Sequence, residues 1–304
     1  MAKGLLEAMR ERILLADGAM GTQQQYAGLE PGGCGEAWNL EHPDRLLKIH
    51  GAYVEAGSDC LITNTFGGSR IMLARHEHAD KVREINVAGA KLARQAFGDK
   101  EGFVIGDIGP FGGLMEPYGE FSEEQVTAAF EEQASALVEG GVDAILIETQ
   151  TSLEELGIGI RAAKKAGAPC IIGSIAYDVL HDGSDVKTMM GIGPEDAVEF
   201  MKDHGVDVLA LNCGAGVNVN WATKVVERYR RDSGLPTMAQ PNAGLPVLEN
   251  QKVVYKQTPE EMVAELPDLL SAGANIIGGC CGSTPDHIRL FRKLIDQQQE
   301  SSGS

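Results

Sequence analysis

"HGVDVLALNC", residues 204–213, decides the fold, because the same phrase returns three times elsewhere in the chain. "AGSDCLITNT" (56–65), "GGVDAILIET" (140–149) and "AGANIIGGCC" (272–281) repeat its grammar: a helix-ending glycine, two linking residues, then a short apolar run. Glycine takes the left-handed conformation that ends a helix at no steric cost, and a short Val-, Ile- and Leu-rich run after it reads as a buried strand. Four further runs of this kind are "ILLADG" (13–18), "FVIGDIG" (103–109), "CIIGSIA" (170–176) and "TMAQPNA" (237–243). With 59–65, 143–149, 207–213 and 275–281 they make eight strands at intervals of about 30 to 45 residues, separated by helical patterns. Eight βα units predict a single-domain (β/α)8 TIM-type barrel over residues 1–295, and the polar tail 296–304 is expected to be disordered. A doubly wound open sheet is the main competitor, but no G-x-G-x-x-G follows the first strand.

Composition narrows the function. The 304 residues carry 26 Lys and Arg against 44 Asp and Glu, a formal net charge of −18, with no basic run to meet nucleic acid or an anionic membrane. The opening "MAKGLLEAMRERILLADGAM" lacks the apolar core and cleavage site of a signal peptide, and no segment approaches the roughly 20 apolar residues that span a bilayer. The chain is therefore expected in the cytoplasm, where Cys34, Cys60, Cys170, Cys213, Cys280 and Cys281 are too sparse for a disulfide scaffold and point to metal or catalytic use.

The repeated phrase also sets a register. Counting seven and eight residues beyond Gly57, Gly141, Gly205 and Gly273 lands on Asn64 and Thr65, Glu148 and Thr149, Asn212 and Cys213, and Cys280 and Cys281. In a parallel barrel these equivalent strand ends surround one mouth, where active sites sit. The other strands close on Asp17, Asp107, Tyr177 with Asp178, and Asn242.

Cys213, Cys280 and Cys281 thus bring three sulfurs to one mouth, the pattern of a catalytic zinc with an open fourth position. Adjacent cysteines converge on one ion only where the backbone leaves strand geometry, which Gly278, Gly279 and Gly282 permit. Two other readings stay open: a redox dithiol formed by Cys280 and Cys281, and a phosphate-binding turn at "GGCCGST" (278–284). Cys60 and Cys170 read as small buried hydrophobes, and Cys34, in the Gly-rich "PGGCGEAW" loop, as a spectator or mobile-loop residue. Three thiolates leave zinc with a formal charge of −1, poor at activating water but suited to holding a substrate thiol as a nucleophilic thiolate. The expected chemistry is alkyl transfer to sulfur.

"DGAMGT" (17–22), "TNTF" (63–66), "IET" (147–149), "LNCG" (211–214), "PNAGLP" (241–246) and "GGCCGSTPDHI" (278–288) resemble the homocysteine S-methyltransferase family over about residues 10 to 295. The nearest likeness is to the homocysteine-binding module of cobalamin-dependent methionine synthases. The resemblance implies a zinc-binding (β/α)8 barrel with Cys213, Cys280 and Cys281 as ligands and homocysteine sulfur as the fourth. It also implies Glu148 as acceptor of the substrate ammonium, with Asp17 and Gly18 lining the amino-acid end. Asn242 is expected either to hydrogen-bond a zinc thiolate or to fill the open position before substrate arrives; Asn64, Thr65 and Asn212 are supporting candidates.

Methionine synthases carry folate and cobalamin modules after this one, whereas this sequence stops at Ser304, and Thr149 stands where betaine-using members have an aromatic residue. Methylcobalamin on a separate corrinoid protein is the first expectation for the donor, and S-methylmethionine or S-adenosylmethionine the second. A corrinoid or folate-binding methyltransferase protein is the expected partner. The competing class is a non-catalytic subunit that binds a thiol or zinc.

Overall fold

The computed structural model describes residues 4–249 and 252–302. Eight parallel strands form one sheet: β1 (Leu14–Leu15), β2 (Cys60–Ile62), β3 (Phe103–Ile108), β4 (Ala144–Gln150), β5 (Ile171–Ile175), β6 (Val208–Asn212), β7 (Thr237–Gln240) and β8 (Ile276–Ile277). Each pairs with its sequence neighbour, and β8 returns to β1. The seam between β1 and β2 closes through a parallel bridge from Ala16 to Cys60, where the Asp59 N–H also donates to the Leu15 carbonyl at 2.6 Å. This is the (β/α)8 barrel that the repeated phrase predicts.

Alternation along the strands sorts two cores. Ala16, Ile105, Ala144, Leu146, Ile172, Val208, Ala210, Met238 and Ile276 fill the barrel, and Cys60 and Cys170 lie buried among them as small apolar residues. Leu5, Ala8 and Met9 of the helix Leu5–Glu11 plug this interior from below. The intervening residues, such as Leu61, Val104, Ile145, Ile147, Leu209 and Leu211, pack outward under the helices. Above the apolar layers the inward positions turn polar: Asp107, Glu148, Ser174, Asn212 and Gln240 are all buried.

The four repeat glycines, Gly57, Gly141, Gly205 and Gly273, all have positive φ, from +62° to +104°, as helix-ending glycines should. Two residues later comes Asp59, Asp143, Asp207 or Asn275, and each accepts a backbone N–H from the first or second residue of the preceding strand. Leu15 donates to Asp59 at 2.8 Å, Val104 to Asp143 at 2.7 Å, Ile171 to Asp207 at 2.8 Å and Thr237 to Asn275 at 3.0 Å. The repeat therefore has a period of two strands, and its Asp or Asn stitches each pair together at the lower end of the barrel.

Two expectations are corrected. β1 and β8 hold only two ladder residues each, shorter than 13–18 and 275–281, because Asp17 and Gly278 to Cys281 leave the ladder to build the mouth. The last helix, Pro285–Ser302, continues into the tail expected to be disordered; Gln and Glu are good helix formers, and Arg292 pairs with Asp296 one turn on at 2.7 Å.

Candidate metal centre and substrate cavity

Cys213 follows the last residue of β6. By strand parity its side chain would face outward, but its φ of +55° turns the chain so that its sulfur reaches the mouth. Positive φ is uncommon for a non-glycine residue and persists only where the surroundings hold it. Here the Cys213 N–H is held by the Gln240 carbonyl at 3.2 Å. Cys280 and Cys281 lie in the turn after β8, fixed by Cys280 N–H to the Pro241 carbonyl (2.9 Å) and Ala243 N–H to the Cys281 carbonyl (3.0 Å). Gly282 has φ +80°, and a Cβ there would stand 2.2 Å from Cβ of Tyr255; Gly278 has no positive φ but would meet the Asp17 carbonyl at 2.9 Å. The glycines thus serve one left-handed turn and one close approach.

The three sulfurs lie within 4.8 Å of one another, with Cys213 and Cys281 3.9 Å apart. Zinc–sulfur bonds of about 2.3 Å in a tetrahedron place sulfurs about 3.8 Å apart, so the trio fits zinc with little adjustment. No other group of three ligating side chains among the described residues comes as close together. Hydrogen bonds from the Cys213 and Cys280 thiols, then from the Tyr255 hydroxyl, hold Cys281 down to about 3 despite its burial. Cys280 moves well up, because its thiol is committed to its two neighbours. One thiolate forms readily, and a divalent cation would displace the remaining protons.

The sulfurs open onto a cavity of about 320 Å³ whose lining includes Asp17, Gly18, Asn64, Thr65, Phe66, Asp107, Glu148, Gln240 and the three cysteines. Burial pushes Glu148 up to about 8, the neighbouring Cys213 charge adds to the rise, and a hydrogen bond from Gln240 opposes it. Burial likewise raises Asp17, against the Ile62 N–H that donates to its Oδ2 at 3.0 Å.

The predicted residues divide. Cys213, Cys280, Cys281, Asp17, Gly18 and Glu148 meet in the cavity. Asn64 and Thr65 also line it, but their side chains hold the scaffold: Asn64 donates to the Gly35 carbonyl (2.8 Å) and Thr65 to the Asp107 carbonyl (2.8 Å). Asn212 reaches across β5. Its Oδ1 accepts from Thr149 N–H (3.0 Å) and Ser174 Oγ (2.7 Å), while its amide donates to Thr149 Oγ1 (2.7 Å) and lies 3.9 Å from the Cys280 sulfur. That grip holds Thr149, a β-branched residue, at φ +58°.

Asn242 lies beyond the end of β7. Its amide donates to the Gly214 carbonyl at 3.2 Å and its Oδ1 is buried without a partner; the asparagine amide against a sulfur is that of Asn212. Cys34 is half-buried, donates to Glu36 at 3.6 Å and is pushed up to about 11 by burial and then by the Glu36 charge, which makes it a poor nucleophile. Asp107 was placed at a strand end of the mouth but given no role, and Gln240 and Tyr255 were missed. Parity marks the first two, since Asp107 stands two residues beyond inward Ile105 and Gln240 two beyond Met238; nothing local marks Tyr255.

The family model for homocysteine S-methyltransferases matches residues 14–295. The chain belongs to the homocysteine S-methyltransferase family. Family relatives include a methionine synthase of Mycobacterium leprae (strain TN), 34% identical over 94% of this chain and 24% of its own length. Another from Mycobacterium tuberculosis (strain ATCC 25618 / H37Rv) is 33% identical over 94% of this chain and 25% of its own. The chain thus spans about a quarter of the length of these curated relatives. The metallated form of the homocysteine methyltransferase MmuM from Escherichia coli has the same fold, with a TM-score of 0.78 at 23% identity over 95% of this chain and 99% of that one. Among the described residues no helix is long and apolar enough to cross a membrane.

Proposed function

We propose that this chain transfers a methyl group to the thiolate of homocysteine, giving methionine, with Cys213, Cys280 and Cys281 holding a zinc ion. One observation carries the reading: three thiol sulfurs within 4.8 Å of one another, facing an acid-lined cavity. Zinc bound by three thiolates supplies a fourth position where a substrate sulfur is kept deprotonated yet nucleophilic.

The chain's own residues position the substrate. Glu148, held by Gln240, accepts the ammonium, and the arriving cation favours its ionised form. Asp17, oriented by the Ile62 N–H, accepts from the same group through Oδ1, which has no other partner. These contacts aim the sulfur at the mouth, so the incoming methyl is met in line. The new sulfur–carbon bond forms as the donor–methyl bond breaks, the electron pair leaves with the donor, and the thiol proton goes to solvent.

For the donor, the reading is methylcobalamin on a separate corrinoid protein, with S-methylmethionine or S-adenosylmethionine as the alternative. Two features support a large, protein-borne donor. The cavity, about 320 Å³, is at the small end for ligand sites. Around it the segments after the barrel strands expose Phe66, Leu114, Tyr118, Met189, Leu245 and Leu248, apolar surface that suits a docking protein. A reducing cytoplasm would suit the six cysteines, all of them unpaired.

Purified, zinc-loaded chain incubated with homocysteine and free methylcobalamin should form methionine, and Cys281→Ala should lose both bound zinc and turnover. Zinc and homocysteine binding without methionine would favour a non-catalytic subunit. Full turnover by zinc-depleted Cys281→Ala would end the proposal.

A further inference from the structure

Four carboxylates line the cavity, those of Asp17, Glu36, Asp107 and Glu148, and its lining contains no Lys, Arg or His. Three have hydrogen-bond partners in the protein. Glu36 accepts from Gly67 N–H at 2.8 Å and from the Cys34 thiol, Glu148 from Gln240, and Asp17 Oδ2 from Ile62 N–H. Asp107 is different. It is 4% exposed, and its Oδ1 is buried with no hydrogen-bond partner.

The bonds that fix Asp107 go to its backbone instead. Its N–H donates to Thr63 Oγ1 at 3.0 Å, and its carbonyl accepts from Thr65 Oγ1 at 2.8 Å and Gln133 Nε2 at 3.2 Å. The scaffold holds the main chain firmly and leaves the carboxylate facing the cavity. A buried carboxylate with an unmet oxygen costs stability unless a ligand supplies the donor. Asp17 Oδ1 is unmet in the same way.

An ammonium group has three N–H donors. Asp17, Asp107 and Glu148 offer three carboxylate acceptors around one space; burial raises Asp107 most, and the Glu148, Glu36 and Asp17 charges add to the rise. The substrate carboxylate, by contrast, enters a cavity lined by four acidic side chains and no cationic one. Resting on the methyl-acceptor reading above, we infer that Asp107 is the third acceptor of the substrate ammonium, and that the amine rather than the carboxylate selects the thiol. The substrate class is aminothiols; thiols lacking the amine are rejected because they leave these acids unpaired, and a thiol acid lacking the amine also brings an uncompensated carboxylate.

The test is equilibrium binding of three thiols to the zinc-loaded chain by titration calorimetry: homocysteine, 3-aminopropane-1-thiol, which lacks the carboxylate, and 4-sulfanylbutanoate, which lacks the amine. The aminothiol should bind within about tenfold of homocysteine and the deaminated acid roughly a hundredfold or more weaker, as expected for lost charge-assisted bonds. Asp107→Asn, with zinc content checked, should weaken the two amines about 10- to 100-fold and leave 4-sulfanylbutanoate unchanged or tighter.

The inference falls if wild type binds 4-sulfanylbutanoate as well as the aminothiol, or if Asp107→Asn weakens all three alike. If Asp107→Asn does not fold, Asp107→Ser, read by the same three titrations, decides. Failure of homocysteine itself to bind would overturn the methyl-acceptor reading and this inference with it, whereas homocysteine binding with an unchanged preference in Asp107→Asn would sink this inference alone.

Discussion

At the lower end of the barrel, the residue two places after each repeat glycine is Asp59, Asp143, Asp207 or Asn275, and all four accept an N–H at the start of the strand before them. At the upper end, seven and eight places after the same glycines, the pairs are Asn64–Thr65, Glu148–Thr149, Asn212–Cys213 and Cys280–Cys281, and no two do the same work. Asn64 ties down a loop, Glu148 faces the cavity, Asn212 grips Thr149, and the cysteines gather their sulfurs. One repeated phrase therefore serves stability where it stays constant and chemistry where it diverges, the division between the two faces of a (β/α)8 barrel.

Substitutions at the two ends should consequently damage different properties. The largest effect belongs to the mouth: Cys281→Ala should abolish zinc retention and turnover while urea unfolding still shows a cooperative barrel, because Cys281 is not among the residues of the interior apolar layers. An unfolded variant would mean that the sulfur trio also holds the fold. Asp207→Ala, at the lower end, should do the reverse. It leaves the Ile171 N–H without its acceptor, at a cost of about 1–3 kcal/mol in urea unfolding, with zinc content and homocysteine affinity unchanged. Loss of zinc binding in that variant would break the separation.

The third test concerns a buried acid on the upper side of the barrel but outside the cavity lining. Glu155 accepts the Phe111 N–H at 2.7 Å, and burial pushes its carboxyl up to about 7, partly offset by that hydrogen bond. In the unfolded chain a glutamate ionises near ~4.3, so between there and 7 the unfolded state sheds its proton first and the Glu155 contribution to stability falls as pH rises. Glu155→Gln removes that slope. Its stability relative to wild type should improve by about 3 kcal/mol between pH 4 and pH 8, and a constant difference across that range would refute the assignment.

The sequence carries the fold in its local signals. A left-handed glycine, an acidic residue two places on and a short apolar run are adjacent in the chain, and counting along them brings Cys213 to Cys280 and Cys281 before any coordinates. Their orientation was less legible. Cys213 faces the site through a positive φ, and Thr149 adopts another under the hold of Asn212, whose β6 lies beyond β5. Such departures depend on partners distant in sequence and leave no periodic trace. The same limit hides the difference between Asn212, whose amide lies against a sulfur, and Asn242, whose amide donates to Gly214: both are asparagines near strand ends, and only the strand's inward face distinguishes them. Asp107 was available by parity along β3, but its importance rests on an unmet oxygen, which spacing does not reveal.

Zinc-edge X-ray absorption on the loaded chain, with and without homocysteine, tests the central claim most directly. The account predicts three sulfurs at about 2.3 Å and one lighter ligand in the free protein, becoming four sulfurs when homocysteine is added. Fewer than three sulfurs before addition, or a spectrum that homocysteine leaves unchanged, would contradict it.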